Sequence, residues 1–309
     1  METPFSFWFG FNIAVVVLLV LDLTLLHQER RFPSMKESII TTVVWVALAV
    51  GFGFWLARQV GWEKGSEFFT GYVIEYSLSM DNLFLFVLIF SNFRVAPDQQ
   101  RRLLFWGVIG ALIMRGIMIG AGVALLKAFA WVIYLFGAYI LCVGLHMLFR
   151  KAKTDVKVER HLVVRFVQRF LPFSSGDHGG HFMVREGGRL KFTILFLVLL
   201  VVEVTDLIFA LDSIPAIFGV TRDSYIVYTS NVCAVLGLRS LYFVLAGAVK
   251  SLVYLRAGLG AVLIFIGAKM VSEHFLPIST ELSLLIVGGI LGVAVTASLL
   301  KTKLQVHLE

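Results

Sequence analysis

The sequence predicts an all-α polytopic membrane protein with nine transmembrane helices. Of its 309 residues, 59% are hydrophobic and only 15% are charged. Apolar runs of about 20 residues, the length that crosses a bilayer as a helix, recur along the whole chain. Basic residues collect in alternate connections between these runs. This composition excludes an ordinary soluble domain.

The nine apolar segments are taken as predicted helices 1 to 9. They cover residues 6–26, 38–57, 68–90, 103–126, 128–149, 192–218, 226–249, 254–272 and 282–300. The first segment is too long for the apolar region of a signal peptide, and no Lys or Arg precedes it. It is therefore expected to stay in the protein as a helix.

The distribution of Lys and Arg predicts the orientation. The connections after helices 1, 3, 5 and 7, together with the C-terminal tail, hold 19 bases, or 20 with Arg256 at the start of helix 8, whereas the connections after helices 2, 4, 6 and 8 hold 4. Basic connections stay in the cytoplasm, so the N-terminus is predicted outside and the C-terminus inside. The net charge of +7 is explained in this way, without a nucleic-acid partner.

An internal repeat organises the middle of the chain. KAFAWVIYLFGAYILCVGLHM (127–147) aligns without gaps with KSLVYLRAGLGAVLIFIGAKM (250–270), and EYSLSMDN (75–82) aligns with DLIFALDS (206–213). Each copy contains three helices. Because three is odd, consecutive copies insert with opposite orientation, which is a common plan of secondary transporters.

The resulting layout has five parts. They are peripheral helices 1 and 2 (1–67), repeat A (68–149), a cytoplasmic loop (150–191), repeat B (192–275), and helix 9 with a cytoplasmic tail (276–309). In the loop, HLVVRFVQRFLPF (161–173) favours an amphipathic helix on the membrane surface, and the turn-rich segment after it favours a small hairpin. The recurring glycines at 137, 144, 260 and 267 are interpreted as close helix-packing positions.

Acidic residues inside the membrane segments are the main functional signal. An ionised carboxylate at the bilayer centre costs about 2.5 to 3.5 kcal/mol even on a lenient scale. Predicted helices 3 and 6 nevertheless carry five acids: Glu75, Asp81, Glu203, Asp206 and Asp212. Arg115 and Arg239 are expected to be structural ion-pair partners, with Asp81 and Asp212 preferred, and they can neutralise only two acids. The set indicates either a cation site or a network of internal ion pairs.

Helical geometry divides the candidate ligands into two groups. Glu75 and Asn82 share one face of helix 3, and Glu203, Asp206 and Ser213 share one face of helix 6. Asp81 and Asp212 lie about 120° away, so they join the site only where the helix unwinds. Pro215 predicts such a break in helix 6. Oxygen ligands without His or Cys favour Mg²⁺, Ca²⁺ or Mn²⁺.

Two segments resemble the paired signatures of the TerC family of bacterial membrane proteins. They are EYSLSMDNLFLF and EVTDLIFALDSIPAIF, the latter followed by TSNVCAVLGLRSLYF. This family includes the Alx-type manganese exporters and belongs to the LysE transporter superfamily. The resemblance implies a multi-pass protein of the bacterial inner membrane that exports Mn²⁺, with the acids of both motifs as ion ligands.

Other functions are weighed against this one. The alternative is a proton-coupled exporter of another cation: Ca²⁺, a monovalent cation or a cationic amino acid. No nucleophile triad, phosphate loop or HExxH helix is present, so neither catalytic residues nor a resident cofactor are expected. The expected partners are a divalent metal ion and membrane lipid, and the oligomeric state is left open.

The charge count generates a topology prediction. Cysteines introduced singly into 150–191 should be labelled only from the cytoplasm, and those introduced into 273–281 only from outside. Labelling both segments from the same side would contradict the nine-helix arrangement.

Overall fold

The computed structural model describes residues 4–26, 33–129, 131–149, 172–174, 180–186, 189–248, 254–272 and 278–306. Ten helices and one hairpin follow in chain order. They are α1 (Phe5–Leu26), α2 (Met35–Val60), α3 (Trp62–Asn92), α4 (Pro97–Ala128), α5 (Val132–Phe149), β1 (Met183–Glu186), β2 (Arg189–Phe192), α6 (Ile194–Phe218), α7 (Ser224–Leu236), α8 (Leu238–Ala248), α9 (Leu255–Ser272) and α10 (Thr280–Val306).

Each predicted apolar segment coincides with a helix or, for the seventh, with a pair of helices. Within the described residues, seven helices are long and apolar enough to cross a membrane, and α7 with α8 gives an eighth if the pair is one span. The shorter apolar helix Ala257–Ser272, within α9, does not meet the same length criterion. Nine spans, their orientation and the inverted repeat therefore stay predictions.

The predicted cytoplasmic loop is described only in part. The hairpin between β1 and β2 is antiparallel, with Met183 opposite Phe192, as the turn-rich sequence indicated. The proposed amphipathic helix at 161–173 lies almost wholly outside the described residues.

Local sequence signals explain where several helices begin. Ser34 closes a capping box with Glu37 at the start of α2, and Thr193 and Asp223 accept backbone N–H groups at the starts of α6 and α7. Gly61 separates α2 from α3 with φ of 110°, a conformation that favours glycine. Because α3 starts at Trp62, the predicted boundary at residue 68 is too late.

Helix α3 lies at the centre of the bundle, where it contacts α2, α6, α7, α8, α9 and α10. The buried apolar residues of the described chain form three hydrophobic clusters, and α3 contributes to each of them. Its residues in the three clusters include Ile74, Leu83 and Phe68, one in each. These side chains are 0 to 1% exposed. The acidic motif of α3 is therefore carried by a helix at the centre of the bundle.

Helices α5 and α9, the last helices of the two proposed repeats, pack closely through glycine. A Cβ at Gly267 would stand 2.6 Å from the Leu141 backbone nitrogen, and one at Gly144 would stand 2.7 Å from that of Ile264. Gly137 lies against Gly267 and Gly144 against Gly260, so the two helices cross antiparallel. This relation is the one expected for equivalent helices of an inverted repeat.

The bend between α7 and α8 occurs at Gly237 and measures 41°. Glycine has a poor helix propensity and is a common site of helix kinks. By contrast, α6 remains helical from Ile194 to Phe218 with Pro215 inside it, so the predicted break in this helix is wrong. Pro215 lies only three residues before the helix end, and its effect is confined to the last turn.

The glycine contact of α5 and α9 generates a stability prediction. Gly267→Ala should lower the free energy of unfolding by about 1 to 3 kcal/mol, because the new methyl group meets backbone atoms that cannot rotate away. Gly289→Ala in α10 is the matched control, since nothing lies within 4 Å of its Cβ position. Thermal unfolding in detergent compares the two variants. Equal melting temperatures would show that the close approach is not needed for stability.

Candidate cation site

A buried guanidinium joins the acidic motifs of the two proposed repeats. Arg115 of α4 donates from Nε to Asp206 Oδ2 at 3.0 Å and from Nη2 to Asp206 Oδ1 at 2.9 Å. Its Nη1 pairs with Oε1 of Glu75 on α3. Arg115 is 1% exposed and Glu75 is fully buried. Arg115 therefore makes a bidentate ion pair with Asp206 and bridges it to Glu75. Bidentate pairs of arginine with a carboxylate are among the strongest hydrogen-bonded ion pairs in proteins.

Polar neighbours complete this centre but leave two of its atoms unpaired. Ser79 donates to Glu75 Oε1 at 3.3 Å, and Asn231 of α7 accepts from Arg115 Nη1 at 3.4 Å. Among the described residues, Glu75 Oε2 and Asn231 Nδ2 are buried without a hydrogen-bond partner. A buried carboxylate oxygen without a donor is costly, so it marks a place where a cation or donor is favoured.

Glu203 lies one turn before Asp206 on α6, and its carboxylate packs against Gly110 of α4. Its Oε2 is also buried without a hydrogen-bond partner in the described part of the chain. Only a glycine at position 110 leaves room for this carboxylate, because a Cβ there would overlap it. Two carboxylates, those of Glu75 and Asp206, thus contact the guanidinium of Arg115, and the carboxylate of Glu203 lies nearby on α6, against Gly110.

The remaining predicted ligands are distributed along the same two helices. Asn82 and Ser213 are buried, on the faces of α3 and α6 that carry Glu75 and Asp206, and the Ser213 hydroxyl has no described partner. Asp212 instead accepts a 2.6 Å hydrogen bond from Tyr139 of α5. The Asp81 side chain is outside the described part of the structure. Because α6 does not unwind, Asp212 stays on the face that faces α5.

The second arginine has a different partner from the one expected. Arg239 of α8 donates from Nη1 to Asp22 Oδ2 of α1 at 2.5 Å. Arg115 thus pairs with carboxylates of both motifs, as expected. The expectation that Arg239 also reaches a carboxylate of the repeat interface is wrong, and so is the preference for Asp212 as a partner. Asp206 pairs with Arg115 because it lies on the inward face of α6, together with Glu203. Asp212 lies about 120° around the same helix and points elsewhere.

This conformation does not present a ready-made metal shell. Within the described residues, no group of three or more His, Cys, Asp or Glu side chains is arranged to hold a metal ion. The carboxylates of Glu75 and Asp206 are instead engaged by Arg115.

Two residues of the site were not identified from the sequence. Asn231 belongs to the buried polar run Thr229, Ser230 and Asn231 within the apolar segment of α7, and such a run is a signal that could have located it. Tyr139 gave no signal, since a tyrosine in an apolar helix is usual and its contact with Asp212 depends on tertiary packing.

Comparison with known proteins decides the family. The family model for "Integral membrane protein TerC family" matches residues 60–306. The chain belongs to the TerC family. The matched range starts two residues before α3, so α1 and most of α2 precede the TerC match, and the Asp22 partner of Arg239 lies outside it.

Relatives of this TerC protein match almost its whole length. An uncharacterised membrane protein of Myxococcus xanthus is 45% identical over 96% of this chain and 92% of its own. A Salmonella typhi protein, provisionally named a membrane-bound redox modulator, Alx, is 42% identical over 92% of this chain and 91% of its own. A Rickettsia felis membrane protein is 36% identical over 97% and 99%. No solved structure matches the chain significantly.

The buried ion pair generates a prediction for stability. Arg115→Gln leaves two buried carboxylates without their counter-charge and should destabilise the protein by about 3 to 5 kcal/mol. Lys191→Gln, which breaks the exposed pair with Glu186, should cost at most about 1 kcal/mol. Thermal unfolding in detergent measures both.

A double variant separates charge from packing. Arg115→Gln with Asp206→Asn removes one of the stranded charges, so it should be more stable than Arg115→Gln alone. Equal stability of Arg115→Gln and Lys191→Gln would show that the central pair carries little of the fold.

Proposed function

We propose that this TerC protein exports a divalent cation, most favourably Mn²⁺, across the bacterial plasma membrane. One observation carries the proposal: Glu75 and Asp206, one acid from each motif, meet at Arg115. Two carboxylate oxygens of the motifs, Glu75 Oε2 and Glu203 Oε2, are buried without a described hydrogen-bond partner. A pure ion-pair network would be expected to satisfy its own buried oxygens. The excess of carboxylates over guanidinium favours a mobile positive charge at this place.

The types of ligand determine which cation is favoured. Carboxylate, amide and hydroxyl oxygens are hard donors that suit Mg²⁺, Ca²⁺ and Mn²⁺, and no His lies in α3 or α6. In the proposed first shell, Glu75, Asp206 and Glu203 supply charge, with Asn82 and Ser213 behind them. Asp81 and Asp212 join this shell only where α3 or α6 rotates or unwinds. The choice of Mn²⁺ and the outward direction rest on the resemblance to Alx-type exporters.

Arg115 has a defined role in this proposal. In the conformation described here, its guanidinium compensates Glu75 and Asp206 and so stands in for the transported ion. A divalent cation carries twice its charge and competes for the same oxygens. Binding therefore requires Arg115 to release at least one acid, which couples occupancy to the relative position of α3, α4 and α6.

The placement of the acids on separate repeats supports gating. Glu75 belongs to repeat A, whereas Asp206 and Glu203 belong to repeat B. A site built from both repeats is opened and closed by movement of one repeat against the other. A site within one repeat would not respond to such a movement.

Vesicle transport tests this proposal. Inside-out vesicles with the wild-type protein should accumulate Mn²⁺, and Glu203→Gln should reduce the initial rate by roughly tenfold or more, since even groups outside the first shell of a metal contribute about that factor. Glu203 makes no described ion pair, so this substitution should leave insertion intact. Asp98→Asn, an exposed acid in the first turn of α4, is the matched control and should transport normally.

The same assay decides the class of substrate. Rates are compared for Mn²⁺, Ca²⁺, Mg²⁺, Zn²⁺, monovalent cations and cationic amino acids, each normalised to inserted protein. Preferred uptake of a monovalent cation or an amino acid would replace the divalent proposal by the alternative exporter. Wild-type Mn²⁺ transport by Glu203→Gln would remove Glu203 from the site.

A further inference from the structure

A second polar cluster lies at the start of α3. Glu67 is 7% exposed, and its Oε2 accepts hydrogen bonds from Thr221 Oγ1 at 2.6 Å and from Lys64 Nζ at 2.9 Å. Lys64 Nζ also lies 3.7 Å from Asp223 Oδ2. One buried carboxylate oxygen thus joins α3 to the connection between α6 and α7. We call Lys64, Glu67, Thr221 and Asp223 the Glu67 cluster.

Polar and small residues continue from this cluster towards the site at Arg115. Glu67, Gly71 and Glu75 follow one another at four-residue steps along α3, and about 12 Å of helix separates the two acids. Opposite Gly71 lies Ser230 of α7, whose Oγ would stand 2.8 Å from a Cβ at that glycine. The next residue, Asn231, contacts Arg115. Ser230 thus supplies a polar group at the interface of α3 and α7, between Glu67 and the site at Arg115.

Helix packing alone explains part of this interface. The hydroxyls of Thr70 and Ser230 bond to carbonyls of their own helices, and small residues let helices approach in membranes. Packing does not require a buried carboxylate at the end of the interface. Lys64 is also placed differently from Arg115, because its side chain is 31% exposed while that of Glu67 is 9% exposed.

We propose that the Glu67 cluster is the outer gate of the cation pathway. This inference rests on the proposed function. The charge count places the start of α3 on the extracytoplasmic side, so an exported cation that leaves Glu75 meets Glu67 next. Lys64 compensates Glu67 while the gate is closed. A cation that arrives at Glu67 displaces the flexible ammonium towards solvent, where a partly exposed lysine is readily hydrated.

Glu67 is therefore a relay carboxylate, and Lys64 is the residue that closes the gate. Thr221 holds Glu67 in place through the 2.6 Å hydrogen bond, and Asp223 gives the displaced ammonium a second acid on the same side. The Glu67 cluster therefore resembles the central site at Arg115, but it lies nearer to solvent. In both places a basic side chain forms an ion pair with a carboxylate until a cation replaces it.

Thiol labelling tests closure without measuring transport. Ser230→Cys, made in a background of Cys142→Ser and Cys233→Ser, places a single thiol at a position that is fully buried. Adding Lys64→Gln should raise the rate at which this thiol reacts with a membrane-impermeant maleimide applied from outside. The expected increase is about fivefold, because loss of one partly exposed ion pair shifts an equilibrium by about that factor. Arg58→Gln, an exposed base at the end of α2, should leave the rate unchanged.

Transport tests the relay. Glu67→Gln keeps the side-chain volume but removes the charge, so Mn²⁺ export per inserted protein should fall by about tenfold, as for loss of a group close to a metal. Glu63→Gln, an exposed acid one turn earlier on α3, is the matched control and should export normally.

The outcomes separate the two proposals. An unchanged labelling rate with Lys64→Gln, or export by Glu67→Gln at the rate of Glu63→Gln, overturns the gate while leaving divalent export intact. If the wild-type protein transports no divalent cation, the proposed function fails, and the labelling comparison alone then decides whether the Glu67 cluster closes a path to Ser230.

Discussion

The contact of Arg115 with Glu75 and Asp206 is the interaction on which the rest of this structure depends. A guanidinium and two carboxylates inside a membrane bundle are costly unless they neutralise one another, and here both oxygens of Asp206 and one oxygen of Glu75 are paired with it. The contact ties α3, α4 and α6 together at their centre. It also keeps negative charge available, because the carboxylates outnumber the guanidinium and some of their oxygens have no described partner.

The charges of Arg115 and Arg239 are neutralised by different kinds of partner. Arg115 pairs with acids of both motifs, whereas Arg239 pairs with Asp22 on α1, which precedes the part of the chain that matches the TerC family. Helix α1 is therefore more than a peripheral addition, because it supplies the counter-charge for a buried base next to the bend at Gly237. The glycine contact between α5 and α9 holds the other side of the bundle.

Much of this fold follows from the sequence because burial in a membrane is strongly patterned. Apolar length predicted nine helical segments, and seven of them, or eight with the bent pair, are long and apolar enough to span a membrane within the described residues. Helical periodicity predicted that Glu75 shares a face with Asn82 and Asp206 with Ser213, and all four residues are buried. The hydrogen-bond partners of Asp212 and Arg239 were not predictable from the sequence. Tyr139 is 73 positions away from Asp212 in the chain, and Asp22 is 217 positions away from Arg239, so both contacts depend on tertiary packing. The break predicted at Pro215 is absent because the cost of a proline depends on its distance from the helix end, which the sequence alone did not define.

If Arg115 occupies the place of the transported cation, a structure determined with Mn²⁺ should show the guanidinium and the ion exchanging places. Crystals of the protein grown with and without Mn²⁺ are compared by anomalous scattering at the manganese edge. A manganese peak is expected within coordination distance of oxygens from Glu75 and Asp206, with the Arg115 guanidinium withdrawn from at least one of them. A manganese ion bound elsewhere in the bundle, with both contacts of Arg115 intact, would contradict it.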